Sequence, residues 1–329
     1  VYRTISARDV SLAFFLWSLT RRFLSPDLQT IRQFADTANV QIKDRPKEFL
    51  MAEITAAAVN ALRKKTDLPM MECKKALTEA GGDEAKAIQI LKDMFKKVQD
   101  KRADNVTAEG RVFLAVKPDG SEAAMVEIQC ESAPVATGEV MKQFGQAMVD
   151  TLLAGPGAAD AAALMSQKAP GATQSFQEQY EEIVNKIREK IVVNRIARVA
   201  GPVAGYVHHD YKTGVLFIAS GTAKNADVMK DVAMHIAALN PAVTQPSQLA
   251  SDTVQAERDR LIAEARASRK PENIIEKMVD GRMKVFYAEQ GVLTMQPFAK
   301  DDSKTVSQAL AEAGLEAVTF HRWKVGASA

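Results

Sequence analysis

Two cysteines in 329 residues, Cys73 and Cys130, stand far apart with no CxxC pair and no Cys/His cluster around them. That excludes a disulfide framework and a zinc site of the usual spacing, and it suits a reducing cytoplasm. Aromatic residues make up only 6% of the chain. The longest apolar stretch, Val10 to Leu19, is interrupted by Ser11 and Ser18 and followed by Arg21 and Arg22. It is too short to span a bilayer. An excess of one charge is also missing. Residues 1–50 hold 8 Lys/Arg against 5 Asp/Glu, and the remainder holds 35 against 36. A nearly neutral body argues against a protein that draws its affinity from neutralising nucleic-acid phosphates.

Catalytic signatures are absent as well. No GxxxxGK[ST] loop, GxGxxG fingerprint, HExxH helix or GxSxG elbow occurs, so neither nucleotide hydrolysis nor metal-assisted chemistry is indicated. Of the four histidines only His208 and His209 are neighbours, and adjacent strand residues point to opposite faces. Cys73 lies in a helical pattern among apolar residues and reads as structural, although Lys74 and Lys75 stand beside it. The chain reads as a non-enzyme without cofactor or metal, one that works by binding.

What is present is an orderly α+β pattern. Ile54, Ala58, Ala61 and Leu62 recur at helical spacing over 54–65. A second helix over 71–80 stops at Gly81-Gly82, and Asp83 caps a third whose buried side is Ala87, Ile88, Ile90, Leu91 and Phe95. Lys96-Lys97 to Lys101-Arg102 follow as a basic connector, read as a solvated helix end and linker. Val112, Leu114 and Val116 then alternate, Pro118-Asp119-Gly120 turns the chain, and Ala124, Val126, Ile128 and Cys130 alternate again, which predicts a β-hairpin. The helix expected over 139–153 carries Val140, Phe144, Met148, Leu152 and Leu153 on one face.

After a charged helix over 175–190, Ile191-Val192-Val193-Asn194-Arg195 begins a new β segment and the plan repeats, and the last segment carries a helix over 304–313 and a strand over 317–325. A strand is expected over 203–208, a turn over 210–214, a strand over 215–219 and a helix over 226–239, with Asp227-Val228-Met229-Lys230 echoing Glu139-Val140-Met141-Lys142. An internal duplication is the economical explanation. Between Pro241 and Pro271 the chain becomes strongly charged, and with Ile274 to Val285 it reads as an inserted antiparallel helical hairpin, either a partner-binding arm or an ordinary surface excursion. The expected organisation is a three-helix module at 51–100, a first core half at 101–200, a second core half at 201–245 and 283–329, and the hairpin at 246–282. Residues 1–50 form an N-terminal extension, non-native or disordered, with a genuine tail or an Arg-rich organellar presequence as the other readings.

The run Leu62-Arg63-Lys64-Lys65-Thr66-Asp67-Leu68-Pro69-Met70-Met71-Glu72-Cys73-Lys74-Lys75-Ala76-Leu77 closely resembles the amino-terminal signature of translation elongation factor Ts, and Met51-Ala52-Glu53-Ile54-Thr55 is similar to the first residues of its bacterial members. Further similar fragments follow in fixed order: Lys186 to Ile191 with Arg195, Tyr206-Val207-His208, Val232 to Ala238, Ile275 to Met283, Gln296-Pro297-Phe298 and Ser303 to Val306. The resemblance implies a ubiquitin-associated type of three-helix module and a guanine-nucleotide exchange factor for elongation factor Tu. Such a factor binds the GDP-bound or nucleotide-free GTPase in the cytoplasm, distorts the phosphate and magnesium end of its pocket, and needs neither nucleic acid nor membrane. Self-association through the hairpin is a further expectation.

Matched onto this sequence, Arg63, Met70 and Met71 correspond to contacts with the GTPase, and His208 to a strand-end histidine that also meets it. The Pro69 turn is read as displaying the two methionines, with burial in the three-helix core, where one of the pair would face inward, as the competing reading. The chain departs from the family where a strand runs into Thr-Asp-Phe-Val-Ala, whose Asp and Phe wedge in near the magnesium site. Here Ser132-Ala133-Pro134-Val135-Ala136 stands there. Ala133 and Pro134 replace the wedge, with Ser132 expected as the helix cap in place of Asp. Two outcomes follow: exchange through an altered wedge, or a binding module or chaperone-like stabiliser without efficient exchange.

Overall fold

A computed structural model describes residues 54–222, 227–268 and 271–326, apart from the side chains of Phe95 and Val98. The chain divides into two units, 1–52 and 53–329, and every described residue belongs to the second. The readings made for residues 1–50 lie outside the described residues.

Three helices come first. α1 (Ala56–Thr66) is capped by Thr55, whose hydroxyl accepts the Ala58 N–H at 3.2 Å, and it ends on Asp67 in the left-handed region. α2 (Met70–Glu79) starts directly after Pro69 and closes on Gly81 and Gly82 at positive φ, with the Gly82 N–H donating to Leu77. Asp83 caps α3 (Glu84–Arg102) by accepting from the Lys86 N–H. Their shared core is Val59, Leu62, Leu68, Cys73, Ala76, Leu77, Ala87 and Leu91. Two sequence expectations change here. Ala58 and Ala61 are exposed, because the larger Val59 and Leu62 take the inward positions. The basic stretch over 96–102 is helix to its end at Arg102 rather than linker.

The rest contains two antiparallel three-stranded sheets built on one plan. In the first, β1 (Glu109–Val116), β2 (Glu122–Cys130) and β3 (Ile191–Ala200) lie in that order, with α4 (Ala133–Thr137), α5 (Glu139–Ala154), α6 (Ala161–Met165) and α7 (Phe176–Ile187) between β2 and β3 in sequence. In the second, β4 (Val203–Val207) and β5 (Thr213–Gly221) pair, and after α8 (Asp227–Leu239) and further elements a last strand, β8 (Leu315–Lys324), joins β5. Both sheets carry a register shift between their second and third strands, at Glu127/Ile128 and at Ile218/Ala219. The repeat therefore reaches beyond the strand–turn–strand–helix unit visible in sequence and includes the closing strand.

Alternating side chains explain the layers. Phe113, Ala124, Val126, Ile128 and Cys130 pack on Met141, Phe144, Met148 and Leu152 of α5. Val112, Ala123 and Met125 instead meet Val203, Leu216, Ile218 and Trp323, so the two sheets share a core. Val215, Phe217 and Ala219 face Met229, Val232 and Ile236 of α8. The order is helices, sheet, sheet, helices. Each central strand is covered on both faces, which antiparallel sheets often are not. Val140 points outward, contrary to expectation, because Met141, Phe144, Met148 and Leu152 already form the inward i, i+3, i+7, i+11 row.

Between the two halves of the second sheet the chain forms α9 (Ser251–Ala267) and α10 (Glu272–Glu289), which pack through Leu261, Ala265, Ile275, Val279 and Met283. Arg258–Asp280 at 3.0 Å, Arg266–Glu272 at 2.8 Å and Arg282–Glu264 at 2.9 Å bridge them on the outside. The Ala242 N–H donates to Gly291 and the Leu293 N–H to Val243, so this excursion leaves and rejoins the core at one place. Because α10 is continuous to Glu289, position 282 falls within a helix rather than at its end. A short ribbon of β6 (Pro297–Phe298) and β7 (Asp301–Thr305) leads into α11 (Val306–Glu312), which Thr305 and Gln308 cap reciprocally.

Gly214 and Gly145 are among the glycines that permit close approach. A Cβ on Gly214 would lie 2.4 Å from Val112 Cγ1 across the sheet interface, and one on Gly145 would lie 2.1 Å from the Phe113 ring. Alanine normally stabilises a helix relative to glycine by about 1 kcal/mol. Gly145→Ala is expected to do the opposite, lowering stability by about 1–3 kcal/mol through overpacking against Phe113, as read from the urea midpoint.

Candidate partner-binding site

Met70 and Met71 open α2 with 46% and 72% of their surfaces exposed. Both are displayed at the turn as the leading reading has it, and the alternative in which one faces the core does not hold. Leu68 before Pro69 and Cys73 after it are the residues that fill the core, and the α-helical phase between them leaves both methionines on the outside. Arg63 is exposed in the last turn of α1, on the same three-helix unit. Cys73 is fully buried and its thiol lies 3.7 Å from the Leu68 carbonyl and 3.6 Å from the Thr66 hydroxyl, a packing role.

At the end of β2 the chain makes the short helix α4. Ala133 and Pro134 are exposed, whereas Val135 is half-buried against the first core and Ala136 is buried in it. Pro134 sits in the first turn, where a missing N–H removes no intrahelical bond. Ser132 occupies the N-cap position but does not cap with its side chain, which corrects that expectation. Its N–H at 3.0 Å and its hydroxyl at 2.7 Å both donate to the Glu189 carboxylate. Both are charge-assisted hydrogen bonds, the stronger class.

Next to it, Glu131 accepts from Arg102 Nη1 at 2.9 and 2.7 Å, from Asn105 Nδ2 at 2.8 Å and from the Lys190 N–H. Burial pushes the Glu131 carboxyl up, but the hydrogen bonds from Lys190, Asn105 and Arg102 more than offset it and hold the group below the usual glutamate range. The adjacent Cys130 thiol is pushed up to about 11, chiefly by burial and then by the Glu189 charge, and it donates to the Ser132 carbonyl at 3.3 Å. It is no nucleophile.

The three-helix unit and the strand end are tied together. Glu72 in the first turn of α2 pairs with Arg188, and Asp67 pairs with Lys186. Gln99 donates to the Tyr180 hydroxyl at 2.7 Å. A groove of about 440 Å³ runs between Thr66 and Asp67 on one side and Val140, Phe144 and Ile183 on the other. It connects the turn before Met70 with the first turn of α5, directly after α4.

His208 is half-buried just beyond β4, with Nδ1 at 3.1 Å from the Tyr206 hydroxyl. Its ring centroid lies 4.2 Å from that of His209. The two rings share a side, not opposite faces, because β4 ends at Val207 and the turn that follows breaks the two-residue period. The partners of the His208 ring are thus Tyr206 and His209. Among the described residues no three His, Cys, Asp or Glu side chains gather to hold a metal ion, and no helix is long and apolar enough to cross a membrane. Glu72, Glu131, Arg188 and Glu189 carry the arrangement, yet sequence reading assigned them no part. Their partners lie 26 to 116 residues away along the chain, where no local pattern reaches.

The family model described as Elongation factor TS matches residues 134–327. Among similar curated proteins, Elongation factor Ts of Thioalkalivibrio sulfidiphilus is 39% identical over 276 residues, covering 83% of this chain and 92% of that protein. Those of Azoarcus sp. and Thiobacillus denitrificans are each 41% identical over 279 residues, covering 84% of this chain and 92% and 93% of the relatives.

Glu131 sets a pH dependence. Its folded pKa is depressed, so the unfolded chain binds the proton more readily and stability rises with pH through that range. The contribution is complete above the ordinary glutamate range and is lost as pH falls through the lower folded value. Urea unfolding between pH 3 and pH 6 is expected to show this rise, and Glu131→Gln to flatten it.

Proposed function

The chain belongs to the elongation factor Ts family, and on that premise we propose that it binds elongation factor Tu in its GDP-bound or nucleotide-free form and promotes GDP release during translation elongation. Its role is that of a translation elongation factor, and it acts by binding rather than by bond chemistry. The observation that carries the reading is the exposed pair Met70 and Met71. Two unbranched apolar side chains are held out of a core that Leu68 and Cys73 complete, within the same run that carries the family signature. Flexible thioethers adapt to a partner's groove, and Arg63 on the same unit can meet a carboxylate there.

Release follows from linkage. A partner that prefers the nucleotide-free state must weaken GDP by the same factor by which GDP weakens the partner. GDP and its magnesium rest on backbone amides and fixed charges, so small displacements of those groups cost much of its affinity. The family's Asp-Phe wedge is replaced by Ala133-Pro134. An enclosed phenyl ring buries more apolar area than a pyrrolidine ring, by about 1–2 kcal/mol. We read the exposed Ala133-Pro134 face, with Ser132 and Val135 at its ends, as an altered wedge on the same surface, and His208 as a separate contact. The ubiquitin-associated comparison for α1–α3, a cytoplasmic location, and self-association through α9 and α10, where Ile274 and Val285 are exposed, belong to the same reading.

The second reading, a binding module or chaperone-like stabiliser without efficient exchange, is favoured by the missing phenyl ring alone. Mixing the purified protein with its own organism's elongation factor Tu loaded with fluorescent GDP separates them. Exchange predicts faster GDP release, a complex with unchanged release supports the stabiliser, and the absence of a complex overturns both. Met70→Ala/Met71→Ala is expected to raise the half-saturating concentration about tenfold or more while leaving the maximal release rate near that of the unmodified chain.

A further inference from the structure

Residues 188–190 make three successive long-range links. Arg188 ends α7 in the left-handed region at φ 63°, its N–H donating to Val184 at 2.8 Å. A non-glycine residue adopts that conformation at some cost. Its guanidinium pairs with Glu72, the residue after Met71. Glu189 holds Ser132, the residue before Ala133, through both carboxylate oxygens. The Lys190 N–H donates to Glu131, and its ammonium donates to the Ala103 and Asn105 carbonyls at 2.6 and 3.0 Å. Glu131 in turn binds Arg102, the last residue of α3. The links close a ring: α2, Arg188, Glu189, Ser132, Glu131, Arg102, α3.

This ring has a directional feature. Its two critical links, to Glu72 and to Ser132, issue from neighbouring residues whose Cα atoms are about 3.8 Å apart, so there is little slack between them. Ser132 accepts no N–H of α4, so its side-chain contribution is the hydroxyl it donates to Glu189. That bond fixes where α4 stands relative to α2.

We propose that Arg188 and Glu189 are positioning residues that hold the Met70–Met71 face and the Ala133–Pro134 helix in fixed relation, so that docking at the first places the second against the partner's nucleotide site. The proposal rests on the exchange reading above. It assigns a role to the Lys186–Ile191 fragment that neither methionine nor wedge explains. Loss of the link separates docking from release: the methionines still bind, and α4 no longer arrives in register.

The test is the saturation curve of GDP release from elongation factor Tu for the full chain and its variants, with folding followed by far-UV circular dichroism and the urea midpoint. Glu189→Ala and Arg188→Gln are expected to lower the maximal release rate about tenfold with the half-saturating concentration changed less than about twofold. Glu72→Arg/Arg188→Glu is expected to recover most of the loss seen in either single variant. Ser132→Ala removes one hydroxyl and should lower the maximal rate in the same direction, which keeps the test open if Glu189→Ala unfolds. Folded variants with unchanged maximal rates, a loss shared equally by docking, or a charge swap without recovery overturn the proposal. An unmodified chain that fails to accelerate release overturns the exchange reading itself, and this proposal with it.

Discussion

The contact between the two sheets is the constraint on which the rest depends. Val112 and Met125 from one sheet meet Leu216, Ile218 and Trp323 from the other, and the absence of a side chain at Gly214 lets them close to van der Waals distance. With that face occupied, each sheet must bury its other face under helices, and α5 and α8 take up equivalent positions. The register of β1 and β2, with Glu109 opposite Cys130, then places the end of β2 at the rim of the first core. Everything attached to that strand end inherits its rigidity: Glu131 with its donors, Ser132 with Glu189, and α4 with its exposed first turn.

On this frame the candidate contacts have unequal support. Met70 and Met71 sit on a three-helix unit with its own small core, joined to the body mainly by polar links. Ala133 and Pro134 sit directly on the body, with Val135 and Ala136 packed into it. The first arrangement suits an adaptable docking face, and the second suits a fixed element that presses on a partner. Polar links between the two are individually modest where they are exposed, but a closed ring of them restricts geometry more than any one stabilises it.

Much of this was legible in the sequence, and the remainder fails for identifiable reasons. Alternation at Val112, Leu114 and Val116 and at Ala124, Val126, Ile128 and Cys130 gave the strands correctly, yet a period of two cannot say that the first set meets a sheet and the second a helix. The repeat is visible through Glu139–Lys142 and Asp227–Lys230, and strands are legible from Ile191 and over 317–325, but no local pattern says that each of them closes its sheet 61 and more residues after the second strand. The inward placing of Val140 and the alternative that one methionine faces the core fail for one cause: a helical face is read from apolar residue type, whereas phase relative to the largest neighbours decides it. Ser132 was read as a cap because capping is a local signal, and its actual partner Glu189 is 57 residues away. That Ala133 and Pro134 depart from the family pattern is legible because it is a difference of residue type at a matched position.

The central claim is that two separate surfaces of this chain, one at Met70–Met71 and one at Ala133–Pro134, engage elongation factor Tu together as a single face. Hydrogen–deuterium exchange of the chain alone and in complex with nucleotide-free elongation factor Tu tests it most directly. The account predicts slowed exchange of backbone amides over 68–74 and over 131–138 in the same complex. Protection confined to one of these segments, or to α9 and α10 alone, would contradict it.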